Sequence, residues 1–219
     1  VDLVGANLSG ANLSGANLSG ANLSGANLSG AKLYGADLSG VSLENANLTG
    51  ADIEGANFSG AYMIKAILDG IDLEGANFNG VHMPGQKFVD KNLKNINFRN
   101  AVLLDADFNG SDLTNANFDS AYLALVNFKE SDLTNASLRN ADLGAADLTN
   151  ADLSGAVIQN SYFKNTKLNN IVTKDTKSDS CFEQDIFNRI ICKINFELVP
   201  NSPPYESNYE LRDNYSLRD

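Results

Sequence analysis

The chain of 219 residues has no tryptophan, one histidine (His82), two cysteines (Cys181 and Cys192) and four prolines. One histidine and two cysteines make neither a Cys/His-rich zinc site nor a disulfide-stapled framework. No nucleophile–histidine–acid grouping, phosphate-binding loop or metal-ligand pair is visible. The sequence therefore predicts no catalytic residues, no cofactor and no metal, and the chain is not expected to be an enzyme. No apolar run approaches the ~18–20 residues that cross a bilayer. Positive charge is scarce: 16 Lys and Arg stand against 27 Asp and Glu, a formal net charge of −11. That balance disfavours direct binding to nucleic acid, whose phosphates need basic partners, and docking on an anionic membrane. A cytoplasmic location is expected. Secretion or organelle targeting stays open, because the chain starts at Val1 in frame and without Met, as a fragment, a processed chain or an engineered extension would.

What the sequence has in abundance is a period of five. From Val1 to Asn170 it divides into thirty-four blocks of five without insertion or deletion, and residues 6–30 are five copies of Ala-Asn-Leu-Ser-Gly. The third place is always large and apolar, as at Leu8, Ile53, Phe58, Met63, Phe98 and Leu168. The first place is usually tiny, and the fifth is Gly in 17 blocks and Asn in ten, the residues that most readily accept a positive φ. Neither standard element fits. On an α-helix, residues five apart sit ~140° from each other, so the leucines would smear around the cylinder. On a flat strand they would fall on alternate faces. All third-place residues face inward only if the chain turns about a right angle every block, so that four blocks close a coil of twenty residues. Two series support that register. Phe58, Phe78, Phe98 and Phe118 lie twenty apart, and so do Phe88, Phe108 and Phe128 half a coil away, as expected of rings that stack.

This pattern, A-(N/D)-L-x-x over residues 1–170, resembles the pentapeptide-repeat proteins. The resemblance implies an all-β fold, a right-handed quadrilateral parallel β-helix, and the general preference for right-handed crossovers agrees. About 8.5 coils at ~4.8 Å spacing make a rod of roughly 40 Å, with an interior too full of side chains to hold a substrate.

On the outside, Asp52, Asp72, Asp112, Asp132 and Asp152 share one register, with Asn92 filling the gap and Glu54 and Glu74 beside them. This is the candidate interaction stripe. Stacked like charges are expected to raise one another's pKa. Residues 81–95 depart most from the pattern: Gln86 and Lys91 stand where Ala is usual, and Pro84 removes a donor, so a distorted wall or bulge is expected. His82 is expected to be exposed and inert. Lys87, Lys91, Lys94 and Arg99 form a local basic cluster, read as solvated surface or a docking patch.

The apolar frame fails at Thr173. Ser180 and Glu183 read as a capping box, and Phe182, Ile186, Phe187, Ile190, Ile191 and Ile194 have helical spacing. Residues 171–198 are therefore expected to form a C-terminal cap with an amphipathic α-helix near 180–194, which covers the last coil or dimerises the chain. On that helix Cys181 and Cys192 lie ~16 Å apart, too far for a disulfide. Residues 199–219 read as a flexible tail, a strap along the rod or a linear motif. Their duplicated Tyr-x-Leu-Arg-Asp places Tyr209, Leu211, Arg212, Tyr215, Leu217 and Arg218 as a candidate motif.

A filled rod with polar walls predicts a non-enzymatic scaffold or protein-interaction rod with a protein partner. Homodimerisation or end-to-end association through an uncapped first coil is the self-association it allows. Some members of the resembled family inhibit DNA gyrase by resembling DNA, which implies a second reading, a DNA mimic that binds a topoisomerase. A secreted bacterial effector or a pathway regulator is a third.

Overall fold

The computed structural model describes residues 1–178 and the backbone of two short strands, Glu183–Gln184 (β1) and Ile190–Ile191 (β2). In residues 1–178 the second residue of a block pairs in parallel with the residue twenty further on, from Asp2↔Asn22 to Val157↔Lys177. Four blocks thus make one coil. The four walls are named here by their first paired residues: Asp2, Asn7, Asn12 and Asn17.

The block sequence follows from where its five N–H groups go. The second, third and fifth donate to neighbouring coils, as in Asn27 N to Ala6 O (2.9 Å), Leu8 N to Asn27 O (2.8 Å) and Gly10 N to Ser29 O (2.8 Å). The first closes the corner on the third residue of the block before, as in Ala11 N to Leu8 O (3.0 Å). The fourth donates to the side chain two residues earlier, as in Ser9 N to Asn7 Oδ1 (3.2 Å). Asn or Asp at the second place is therefore a structural acceptor, an Asx turn. The fifth residue is left-handed at every corner from Gly5 (φ 64) to Asp175 (φ 58), which explains the Gly and Asn found there.

Inside, third-place residues and first-place alanines make one continuous core. The phenylalanine columns stack as the register predicts: Phe78–Phe98 5.7 Å, Phe98–Phe118 5.5 Å, Phe88–Phe108 4.9 Å and Phe108–Phe128 5.1 Å between centroids. The two columns also meet edge to face across the axis, Phe108–Phe118 at 5.8 Å and 85°. Rings from opposite walls thus close the middle of the rod.

The coil does not stop where the apolar pattern does. Despite Thr173 at an inward place, Val172 pairs with Asp152 and Lys177 with Val157, and Thr176 donates its hydroxyl to Leu153 O at 2.7 Å. Backbone ladders need no particular side chain, so the rod propagates through Lys177. The α-helix expected over 180–194 is corrected. β1 and β2 pair antiparallel, Glu183 with Ile191 and Gln184 with Ile190, and a chain that reverses between those pairs is not one helix. The β-branched Ile190 and Ile191 favour extended backbone. The remaining residues of the expected cap, including Ser180, Cys181 and Cys192, lie outside the described residues, as do the tail 199–219 and its candidate motif.

The bulge expected near residues 81–95 is a crack between coils. The Asp2 and Asn17 walls are laddered without interruption, but Ile67 does not pair with Lys87, nor Asp72 with Asp52 or Asn92. The cause lies at the inward corner. Other large first-place residues, such as Val41, Ile96 and Val126, have Ala twenty residues before and after them. Only in the stack Ala51–Ile71–Lys91–Ser111 do two large ones follow each other. Two long side chains cannot share one corner at strand spacing, and the coils part. Ile53 and Leu68, beside the crack, are 6% exposed, whereas Leu103 and Leu123 are fully buried.

Candidate interaction surfaces

The Asn12 wall carries the aspartate register in two pieces. Asp112, Asp132 and Asp152 are laddered together, whereas Asp72 is cut off from Asp52 by the crack. Asp72, Glu54 and Glu74 line the cleft that results, and Asn92 Nδ2 donates to Glu74 Oε2 at 2.9 Å. Each aspartate also serves its own block: Asp52, Asp72, Asp112, Asp132 and Asp152 accept from the N–H of Glu54, Glu74, Thr114, Thr134 and Ser154. The upward pKa shift expected of stacked carboxylates is not what Asp112 shows. Its burial pushes the carboxyl up, but the Thr114 hydroxyl and N–H, and Lys94 at 3.1 Å, outweigh that and hold it below the ordinary value. The basic cluster is dispersed by the coil: Lys87 is on the Asn7 wall, Lys94 pairs with Asp112, and Arg99 is on the Asn17 wall. On the Asn7 wall, Lys129 (3.3 Å) and Lys167 (3.1 Å) flank Asp147. Its burial raises the pKa, yet the Thr149 bonds and the two lysines bring it well below the usual carboxylate range.

The Asp2 wall differs from the other three, and sequence reading missed it. From the fourth coil on, its second-place residues are Tyr62, His82, Val102, Tyr122, Asp142 and Tyr162, laddered in that order. Its fourth-place residues include Ile64, Pro84, Leu104 and Ala124. Tyr62 (48% exposed) and Leu125 (55% exposed) stand out from this face. Five of those six second-place residues are not Asn or Asp, so the Asx acceptor is missing there, at about 1 kcal/mol for each hydrogen bond forgone. Cross-strand aromatic contacts recover part of that. His82, expected to be exposed and inert, is half-buried and stacks on Tyr62 at 5.8 Å; burial lowers its pKa, against the opposing charge of Glu44. The signal was in the sequence, at position two read every twenty residues on a single wall.

Asp142 lies between Tyr122 and Tyr162 in this column. It is 5% exposed and accepts from Gly144 N at 2.9 Å. Burial pushes its pKa above the ordinary 3.8, against the Gly144 bond. A raised folded pKa means the native state holds the proton more tightly than the unfolded chain, so the contribution is present below 3.8 and lost as pH rises through the folded value. Asp142→Asn keeps the acceptor and removes the charge. It is expected to match the parent in stability at pH 3 and to exceed it at pH 7 in paired denaturant titrations; an equal difference at both pH values would show that the carboxylate is not desolvated.

A family model described as "Pentapeptide repeats" matches in eight copies over residues 2–41, 42–80, 92–130 and 131–170. The gap between the second and third matches, residues 81–91, adjoins the crack. Among solved structures, the chain is similar to HetL, a pentapeptide repeat protein involved in heterocyst differentiation regulation from the cyanobacterium Nostoc sp. strain PCC 7120. The identity is 28%, over 87% of this chain and 92% of that one, with a TM-score of 0.55. It also shares its fold with QnrB1, a plasmid-mediated fluoroquinolone resistance protein, at 19% identity over 79% of this chain and 91% of that one, with a TM-score of 0.51. No curated protein sequence matches the chain.

Proposed function

Because the chain belongs to the pentapeptide-repeat family, we propose that it is a non-enzymatic rod that acts by binding a protein partner on its outer walls. The filled interior carries this reading: the phenylalanine rings of opposite walls touch along the axis, so recognition is left to the outside. HetL, involved in heterocyst differentiation regulation, fits a regulatory role of this kind. The wall best suited to a basic protein surface is that of Asp112, Asp132 and Asp152, three carboxylates at successive ladder rungs. Replacing all three by Asn preserves the acceptor each block needs. The variant is expected to melt with the parent yet to retain at least ~10-fold less partner in pull-downs at low salt, since each lost charge weakens a screened attraction. A partner held equally by both proteins would place binding on another wall.

The same three rungs favour a second reading, in which the acidic wall imitates DNA and binds a topoisomerase such as gyrase. The parent is then expected to inhibit supercoiling and the Asn variant to have no effect. A parent without effect on supercoiling disposes of it.

A further inference from the structure

We propose that residues 190–198 of this chain cover its own Asp2 wall, running from the Tyr162 end of the rod towards Tyr62. At five of six successive rungs the wall gives up the Asx bond for an aromatic, imidazole or aliphatic side chain, with Asp142 alone keeping it, which a rod facing water on all sides has no reason to do. The strip is five coil spacings long, about 24 Å, and one wall wide. A free protein partner needs about 800 Å2 of contact on each side, more than one such strip offers. A segment tethered to the rod binds at high effective concentration, and a small surface suffices.

The chain supplies such a segment in the right place. Lys177 is the last rung of the Asn17 wall, and in the order of the coil the Asp2 wall comes next. Forty-one residues follow Ser178. Among them Ile190, Cys192, Ile194, Phe196 and Leu198 alternate with Ile191, Lys193, Asn195 and Glu197, the period of a strand with one apolar face. β2 opens this stretch in extended geometry. Nine extended residues reach about 30 Å, enough for the whole strip. The inference concerns a different wall from the proposed partner site and does not depend on it.

Cys192 lies on the alternating apolar set and serves as the probe. In the full chain with Cys181→Ser, a single cysteine is placed on the Asp2 wall (Ala124→Cys, Ala145→Cys or Tyr162→Cys) or on another wall (Asn127→Cys or Asp132→Cys). Each protein is mildly oxidised at low concentration and mapped by peptide mass. The expected result is an intramolecular disulfide to Cys192 from at least one Asp2-wall site, in at least ~10-fold higher yield than from either control. Equal yields on all walls, no disulfide from the Asp2 wall, or disulfides only between two molecules would overturn the proposal, the last in favour of a second copy as the occupant. Ala124→Cys and Ala145→Cys add one sulfur atom at partly or fully exposed sites, so the comparison does not rest on the larger Tyr162 change.

Discussion

Phe108→Ala is expected to destabilise the rod by about 3–5 kcal/mol, the range for emptying a fully buried aromatic site. The high end applies here because the ring has four aromatic neighbours: Phe88 at 4.9 Å, Phe128 at 5.1 Å, Phe118 at 5.8 Å and Phe98 at 5.9 Å. Those neighbours are held by laddered backbone above and below, so they cannot collapse into the void. In a solenoid, stability is close to a sum of repeat and nearest-neighbour terms. The loss should therefore be local: amide exchange should speed up between Phe88 and Phe128 and change little near Leu28. Leu8→Ala, at a half-buried site in the first coil, should cost far less. If the two substitutions lower the melting temperature equally, the rings do not form the spine described above. Leu103→Asp, which puts a charge into the same buried region, should open the surrounding coils altogether.

The square coil was legible because one constraint repeats in every block. An inward apolar residue, a small corner and a left-handed fifth place recur often enough that a period of five has one geometric solution, and the phenylalanine series fixed its twenty-residue register. Less legible was what the second place is for. The aspartates at 52, 72, 112, 132 and 152 stood out as charge, yet their common task is to accept a backbone N–H. The informative second-place residues were those that cannot do so: Tyr62, His82, Val102, Tyr122 and Tyr162. At the C-terminal side, Phe182, Ile186 and Ile190 suggested helical spacing, but from Ile190 to Leu198 the stricter alternation is that of a strand. Short apolar runs satisfy both periods, and only β1 and β2 separate them. Gln86 and Lys91 were recognisable as misfits from their size. That the damage would fall on Asp72 follows only from reading the corner residues twenty apart, where Ile71 meets Lys91.

The crack yields the second large effect. Lys91→Ala returns the Ile71 stack to the pattern found elsewhere, with every large residue between two small ones, and Gln86→Ala removes the long polar side chain from the neighbouring corner, between Ala66 and Ala106. Gln86→Ala/Lys91→Ala is expected to stabilise the protein by about 2–4 kcal/mol. The gain comes from recovered ladder bonds at roughly 0.5–1.5 kcal/mol each, with Leu68 N reaching Lys87 O, Leu73 N reaching Asn92 O, and Asn92 N reaching Ile71 O. Those contacts are missing now, whereas their counterparts one coil further, Phe88 N to Asp107 O at 2.6 Å and Leu93 N to Asp112 O at 2.8 Å, are in place. Amide exchange is the discriminating measurement: Leu68 and Leu73 should move from fast exchange to the protection of Leu93, while amides on the uninterrupted Asp2 wall stay unchanged. A double variant that gains stability without protecting Leu68 and Leu73 would trace the gain to the unfolded chain rather than to closure. A variant that gains neither would show that the succession of Ile71 and Lys91 at one corner is not what holds the coils apart.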